Sequence, residues 1–257
     1  MISKWFGYLK KTLISLREGI NSAYHINFQG GGCINYIDIG SLRGLTEPWR
    51  SNANQIRFLL NFDPNEKPRR TKNSFTYNTA VWDADETRPF YITKGRGGSG
   101  SSLLKPNYQY VRTNFESLKK QGPKDLADSW FERSEIVKTI DIHCLPLDQI
   151  LEDEFPNTDF HFLKVDAQGA ESNIIKGAHS FLSEACLGIH IELYKIPLYE
   201  SAVLFGDVVA YLEDRGFTLV KMFPPSGTFH SQRDCLFLKE SESGDLLSVI
   251  RKVYNLE

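Results

Sequence analysis

Lys164 and Asp166 stand two residues apart in the stretch Phe160-His-Phe-Leu-Lys-Val-Asp-Ala-Gln-Gly-Ala-Glu-Ser-Asn-Ile-Ile-Lys-Gly-Ala178. In an extended strand both side chains leave the same face. A lysine inside an apolar run needs a partner, because buried charge is tolerated only when paired. Asp166 is placed to be that partner. The pair could also do chemistry. A carboxylate can take a proton from a hydroxyl as that hydroxyl attacks. A nearby ammonium keeps the carboxylate ionised or lowers the pKa of the hydroxyl. A structural ion pair and a supported base therefore both stand as readings. Glu192 and His190 share one face of a second apolar run, Leu187-Gly-Ile-His-Ile-Glu-Leu193. A lone strand histidine is more often a satisfied core residue than a catalyst. A carboxylate in such a run is harder to dismiss, since an unpaired one is expensive to bury.

Three further acids close apolar runs. Asp38 lies in Asn35-Tyr-Ile-Asp-Ile-Gly40, Asp63 follows Arg57-Phe-Leu-Leu-Asn-Phe62, and Asp83 follows Ser74 to Trp82. A carboxylate at the end of a second strand can accept both hydroxyls of a ribose. Asp63-Pro-Asn65 is equally a good turn. Asp83 reads either as an adenine contact or as a turn aspartate. Gly40 and Gly44 give a G-x-x-x-G loop containing Ser41. A dinucleotide fingerprint would be G-x-G-x-x-G, and its absence argues against NAD or FAD. Gly95-Arg-Gly-Gly-Ser-Gly-Ser-Ser102 is short and lies between strand-like segments. It reads as a loop lining a site rather than a linker. Tyr91, Tyr108, Tyr110 and Trp130 read either as a platform for a sugar face or as core.

The elements that must hold these residues alternate strand and helix. Phe160 to Val165 reads as a strand buried on both faces, followed by a helix from about Ala170 to Glu184. Thr46-Glu-Pro-Trp49 carries a helix-start signal, with threonine as N-cap and proline just inside. Ser74 to Trp82 reads as one strand and Ile136 to His143 as another. Thr218 to Phe223 and Arg233 to Leu238 read as a closing antiparallel pair. Repeated βαβ units imply a parallel sheet with ligands at its carboxyl ends.

Composition sets the outer bounds. The chain has 257 residues, of which 41% are hydrophobic and 24% charged, as in an ordinary globular domain. A net charge of −2 gives no whole-chain argument for a nucleic-acid partner. Four scattered cysteines form no metal or disulfide pattern and imply reduced thiols in a cytoplasmic setting. Residues 1–20 read as an amphipathic helix with Lys4, Lys10, Lys11 and Arg17 beside its apolar face. Such a helix rests on a membrane surface, or docks on the domain or on a second copy in a homodimer. The docked form is the plainer reading.

Leu163-Lys-Val-Asp-Ala-Gln-Gly-Ala-Glu171, with Ile175-Lys-Gly-Ala178 after it, resembles the FkbM-type S-adenosylmethionine-dependent methyltransferases. Tyr36-Ile-Asp-Ile-Gly40, Phe62-Asp-Pro-Asn65, Gly100-Ser-Ser-Leu103, Pro197-Leu-Tyr199 and Asp234-Cys-Leu-Phe237 resemble further blocks of that family. The resemblance implies a Rossmann-like class I α/β fold: a mostly parallel, seven-stranded sheet with a terminal antiparallel hairpin. The methyltransferase domain would occupy residues 31–257, behind an N-terminal helix and linker at 1–30. It implies that Asp38, Gly40 and Ser41 hold the methionine end of S-adenosylmethionine, with Gly44 in the same cofactor loop. Asp63 would bind the ribose and Asp83 the adenine, with Ser101, Ser102 and Gln168 completing the cofactor set. Ser41 and Leu42 depart from the family's Gly-Ala-Asn-x-Gly, and Asp63 replaces its usual glutamate. The implied activity is in-line methyl transfer to a hydroxyl of a sugar, polysaccharide or similar metabolite. Asp166 would act as base, with Lys164 in support and Glu192 and His190 as further candidates. Two alternatives remain: a non-catalytic module binding S-adenosylmethionine or a nucleotide, and a divalent-metal-dependent O-methyltransferase using Asp166, Glu192 and His190.

Overall fold

A computed structural model describes residues 31–40 and 44–256. The expected helix at 1–20, its linker and Ser41 lie outside the described residues. The strands are β1 (Ile34–Ile39), β2 (Ile56–Phe62), β3 (Arg69–Arg70), β4 (Ser74–Tyr77), β5 (Ala80–Val81), β6 (Glu86–Thr93), β7 (Ile136–Leu145), β8 (Phe162–Val165), β9 (Gly188–Tyr194), β10 (Thr218–Met222) and β11 (Gln232–Leu238). The helices are α1 (Tyr108–Leu118), α2 (Lys124–Asp128), α3 (Trp130–Arg133), α4 (Leu147–Glu154), α5 (Glu171–Lys176), α6 (His179–Glu184), α7 (Phe205–Glu213) and α8 (Asp245–Val253).

The main sheet has the order β10-β11-β9-β8-β1-β2-β4-β3. From β4 through β2, β1 and β8 to β9 it is parallel. β11 runs antiparallel to both β9 and β10, so the closing pair forms the expected edge. The sheet has eight strands rather than seven. The addition is β3, a two-residue antiparallel strand beside β4, too short to leave a pattern in the sequence. The chain fills one side of β1 with β2 and β4, then crosses to the other with β8 and β9. The carboxyl ends of β1 and β8 thus flank a topological switch point, where open α/β sheets bind ligands.

Side chains alternate across the sheet with period two. Ile37, Ile39, Leu163, Val165, Ile189 and Ile191 enter the larger core. Ile34, Tyr36 and Phe162 enter a smaller one, where α8 closes over the other face with Leu247, Ile250 and Val253. Burying each of these aliphatic side chains contributes about 1.5–3 kcal/mol. Trp49 is buried there too, and its Nε1 donates to Tyr254 Oη at 3.1 Å. Among the described residues no helix is long and apolar enough to cross a membrane. The four cysteines are free thiols.

Three expected elements differ. The run from Ser74 to Trp82 is two strands in different sheets. Asn78 Nδ2 donates to the carbonyls of Pro64 and Glu66, both at 2.6 Å, and turns the chain out of the main sheet. Beyond it, β5 joins β7 in parallel, and β7 pairs along its length with β6. Thr46 to Trp49 starts no α-helix: the chain makes turns and a single 3-10 turn before entering β2. The helix after β8 breaks into α5 and α6 because Asp148 competes for its backbone. The Asp148 N–H takes the Gly177 carbonyl at 3.0 Å. The Asp148 carboxylate accepts the N–H groups of Ser180 and Phe181 at 2.8 and 2.9 Å, capping α6 from outside.

Candidate active site

Register puts Asp38, Lys164 and His190 side by side on β1, β8 and β9. They form a polar row on the face that carries Tyr36 and Phe162 one step earlier. Asp38 is fully buried and Lys164 is 5% exposed. Lys164 Nζ lies 3.5 Å from Asp38 Oδ1 and 3.8 Å from Asp166 Oδ2. Lys164 therefore bridges two carboxylates, and Asp38 is the more buried partner. Burial favours the neutral amine. The charges of Asp38, Asp166, Glu192 and Asp234 outweigh it and hold the lysine pKa above its ordinary value. Burial also raises the Asp38 pKa, with Lys164 opposing.

Asp166 begins the turn that leaves β8. Gly40 explains how close that turn comes to β1. A Cβ on Gly40 would fall 1.9 Å from the Asp166 carbonyl oxygen, and its φ is +84°. Glycine is required on both counts. Glu171, which the residue pattern did not single out, holds the turn from inside. Its buried carboxylate accepts the N–H groups of Ala167 at 2.9 Å and Gly169 at 3.2 Å. Burial pushes its pKa up to about 7 against those hydrogen bonds, with the Asp166 charge adding. An acid two residues after the glycine, opening a helix, was the available signal.

Gln168 is the hub. Its Nε2 donates to Asp166 Oδ1 at 2.7 Å and Glu192 Oε2 at 3.1 Å. Its Oε1 accepts from Tyr194 Oη and Tyr199 Oη, both at 3.1 Å. The residue has φ +56°, so the turn places this amide in a left-handed conformation. Glu192 is buried and also accepts from Tyr194 Oη and Gln232 Nε2. Burial raises its pKa well above the ordinary range, and the charges of Asp166, Glu171 and Asp234 add to that.

Two cavities meet at this turn. The first is about 250 Å³ and is lined by Gly40, Gly44, Asp63, Ser101, Lys164, Asp166 and Gln168. Phe62, Val81, Phe90, Leu103 and Ile174 add an apolar part to its lining. The second is about 370 Å³ and is lined by Trp130, Arg133, Asp166, Gln168, Glu192 and Tyr199, among others. Ser99 and Gly100 of the glycine-serine loop border both.

The remaining candidates are dispersed. Asp63 is buried at the end of β2, and its Oδ1 accepts the Asn65 N–H at 2.7 Å, so it also makes the turn. Ser102 lies outside the cavity linings. Its Oγ accepts the Leu104 N–H and donates to the Ala167 carbonyl, tying the loop to the turn. Asp83 is exposed, accepts from Asn173 Nδ2 at 2.7 Å and is not in the lining of the first cavity. His190 is engaged on both ring nitrogens, with Tyr254 Oη at 2.8 Å and Asp234 Oδ1 at 3.1 Å, and stacks on Phe223. Of the four aromatics, Trp130 lines the second cavity and Tyr108 packs edge-on against it.

The model of a methyltransferase FkbM domain matches residues 38–219 of this sequence. The chain belongs to the FkbM methyltransferase family. The matched span runs from Asp38 through the turn at Asp166 into β10; it includes the first cavity's lining, while Gly227, Thr228 and Gln232 of the second cavity lie beyond it. No curated protein matches the chain. Family membership makes this a methyltransferase, and the junction at Asp166 is its candidate reaction centre. Among the described residues no three His, Cys, Asp or Glu side chains converge as metal ligands.

Proposed function

We propose that this FkbM methyltransferase takes its methyl group from S-adenosylmethionine and transfers it to a hydroxyl of a sugar, polysaccharide or similar metabolite. One observation carries this reading: Asp166 and Gln168 line both cavities, so reactants entering from two sides meet at a carboxylate. The first cavity suits the cofactor. Asp38, expected to touch the cofactor, is fully buried outside the lining of that cavity and acts on it only through Lys164, which does line it. Asp63 offers a carboxylate to a ribose, and the apolar part of the lining suits a purine ring. Gly44, with φ +80°, lines that cavity, and a Cβ on it would meet none of the described residues within 4 Å.

When bound, S-adenosylmethionine supplies an electrophilic methyl group on a good leaving group, so positioning provides much of the acceleration. Asp166, partly exposed, takes or orients the acceptor proton. Lys164 Nζ stands 3.8 Å from the Asp166 Oδ2 and holds that carboxylate in place. Gln168 fixes its Oδ1. Glu192, Tyr194 and Tyr199 brace Gln168 in turn. His190 serves the fold through Tyr254 and Asp234.

The full chain should bind S-adenosylhomocysteine by calorimetry and release labelled methyl onto a hydroxylated acceptor. Asp166→Asn should keep that affinity within about threefold while turnover falls by about 10²-fold or more. Near-wild-type turnover would remove Asp166 from the chemistry. Tight binding with no transfer to any hydroxylated acceptor would favour a binding module instead.

A further inference from the structure

The second cavity contains a cation whose charge the protein leaves unbalanced. Arg133 lines it from α3, while Asp166 and Glu192 reach it from the sheet. The Arg133 guanidinium is half-buried and held by neutral groups. Its Nε donates to Ser129 Oγ at 3.0 Å. Its Nη2 donates to the Leu126 carbonyl and to Thr228 Oγ1, both at 2.8 Å. Among the described residues no carboxylate lies within ion-pair distance of it. Nη1 makes no hydrogen bond to any described residue. Of the cavity's two acids, Asp166 has Lys164 at 3.8 Å, and burial favours the neutral form of Glu192, which hydrogen-bonds Gln168, Tyr194 and Gln232.

A guanidinium locked on one edge and open on the other is pre-organised to bind an anion. Three neutral hydrogen bonds fix its direction without cancelling its charge. We infer that the second cavity is the acceptor site and that its acceptor carries an anionic group, a carboxylate or a phosphate, read by Arg133. The acceptor hydroxyl then lies toward Asp166 and the anion toward Arg133. This assignment rests on the methyl-transfer reading for the word acceptor. The anion preference of the cavity stands without it.

The test uses glucose, glucuronate and glucose 6-phosphate, which differ only at one carbon. Binding to the full chain is measured by calorimetry, with and without S-adenosylhomocysteine. At least one anionic probe should bind about tenfold or more tightly than glucose, and the two anionic probes separate carboxylate from phosphate. Arg133→Gln should abolish the preference while S-adenosylhomocysteine affinity stays within about twofold. Arg133→Lys, which keeps the charge but loses the fork, should retain part of it. Circular dichroism confirms that each variant is folded. Equal binding of glucose and both anions overturns the inference, as does a preference that survives in folded Arg133→Gln. Failure of S-adenosylhomocysteine to bind overturns the methyl-transfer reading instead, and the measurement without it still decides the anion preference.

Discussion

Gln168→Ala separates two roles that its position allows. As a cofactor contact, Gln168 would govern affinity for S-adenosylmethionine. As the hub of the hydrogen-bonded cluster, it would govern the orientation of Asp166. The geometry sets the size of the effect. Truncation removes four hydrogen bonds. The partners are unequally affected. Tyr194 Oη still has Glu192 Oε2 at 3.3 Å, and Tyr199 Oη still has the Gly100 carbonyl at 3.1 Å. Glu192 keeps Gln232. Asp166 Oδ1 alone loses its donor. No buried hydroxyl is orphaned, so the stability cost is about 2–3 kcal/mol. For a domain of this size that is a fall of roughly 4–12 °C in Tm. Alanine and glutamine bear similar strain at φ +56°, so the backbone adds little to the difference. A carboxylate free to rotate at the reaction centre should lower kcat by about 10–10²-fold. Calorimetry with S-adenosylhomocysteine should show affinity within about threefold of wild type. Steady-state kinetics, calorimetry and a thermal melt on the same preparation decide the matter. A tenfold loss of affinity with unchanged kcat would falsify the hub reading and return Gln168 to the cofactor.

Three other outcomes are expected. Glu171 has a folded pKa of about 7 against 4.5 unfolded, so the native state holds more protons between those values. Its contribution is full below about pH 4.5 and is lost as pH rises through 7, by about 3 kcal/mol. Glu171→Gln should flatten that slope in urea titrations at pH 5 and pH 8, and an unchanged slope would show that Glu171 is not its source. Gly40→Ala combines a left-handed φ with a Cβ 1.9 Å from the Asp166 carbonyl. It should cost about 2–5 kcal/mol and lower turnover in whatever folds, whereas wild-type melting would contradict the close approach. Tyr254→Phe removes the hydroxyl shared by His190 and Trp49. It should destabilise by about 1–3 kcal/mol with kcat unchanged; a large kcat loss at full stability would bring His190 back toward the chemistry.

The parallel strands and closing pair were legible because each is an apolar run bounded by turn residues. The polar row was partly legible. Lys164 stood out as a charge in such a run, but only the register across β1, β8 and β9 reveals Asp38 as its second partner. The division of Ser74–Trp82 was hidden because its cause is a pair of carbonyls from another turn. Asp148 and Gly177 are likewise far apart in sequence, so the broken helix read as continuous. Arg133 carried no local signal, since a basic residue in a polar stretch ordinarily faces water. Only the enclosing cavity marks it. Asp83 reads the same way in any strand-ending turn, and its bond to Asn173 is what distinguishes the surface position.

The turn from Asp166 to Gln168 is a party wall between the two cavities, and a common wall gives their occupants a route to thermodynamic interdependence. Whatever one ligand does to the orientation of Asp166 and Gln168, the other ligand meets. If the first ligand raises affinity for the second by some factor, the second must raise affinity for the first by the same factor. The demethylated cofactor, left against that wall after transfer, would change how tightly the methylated product is held. Under the proposed reaction, any such coupling between the two products would run through a single hydrogen-bonded glutamine.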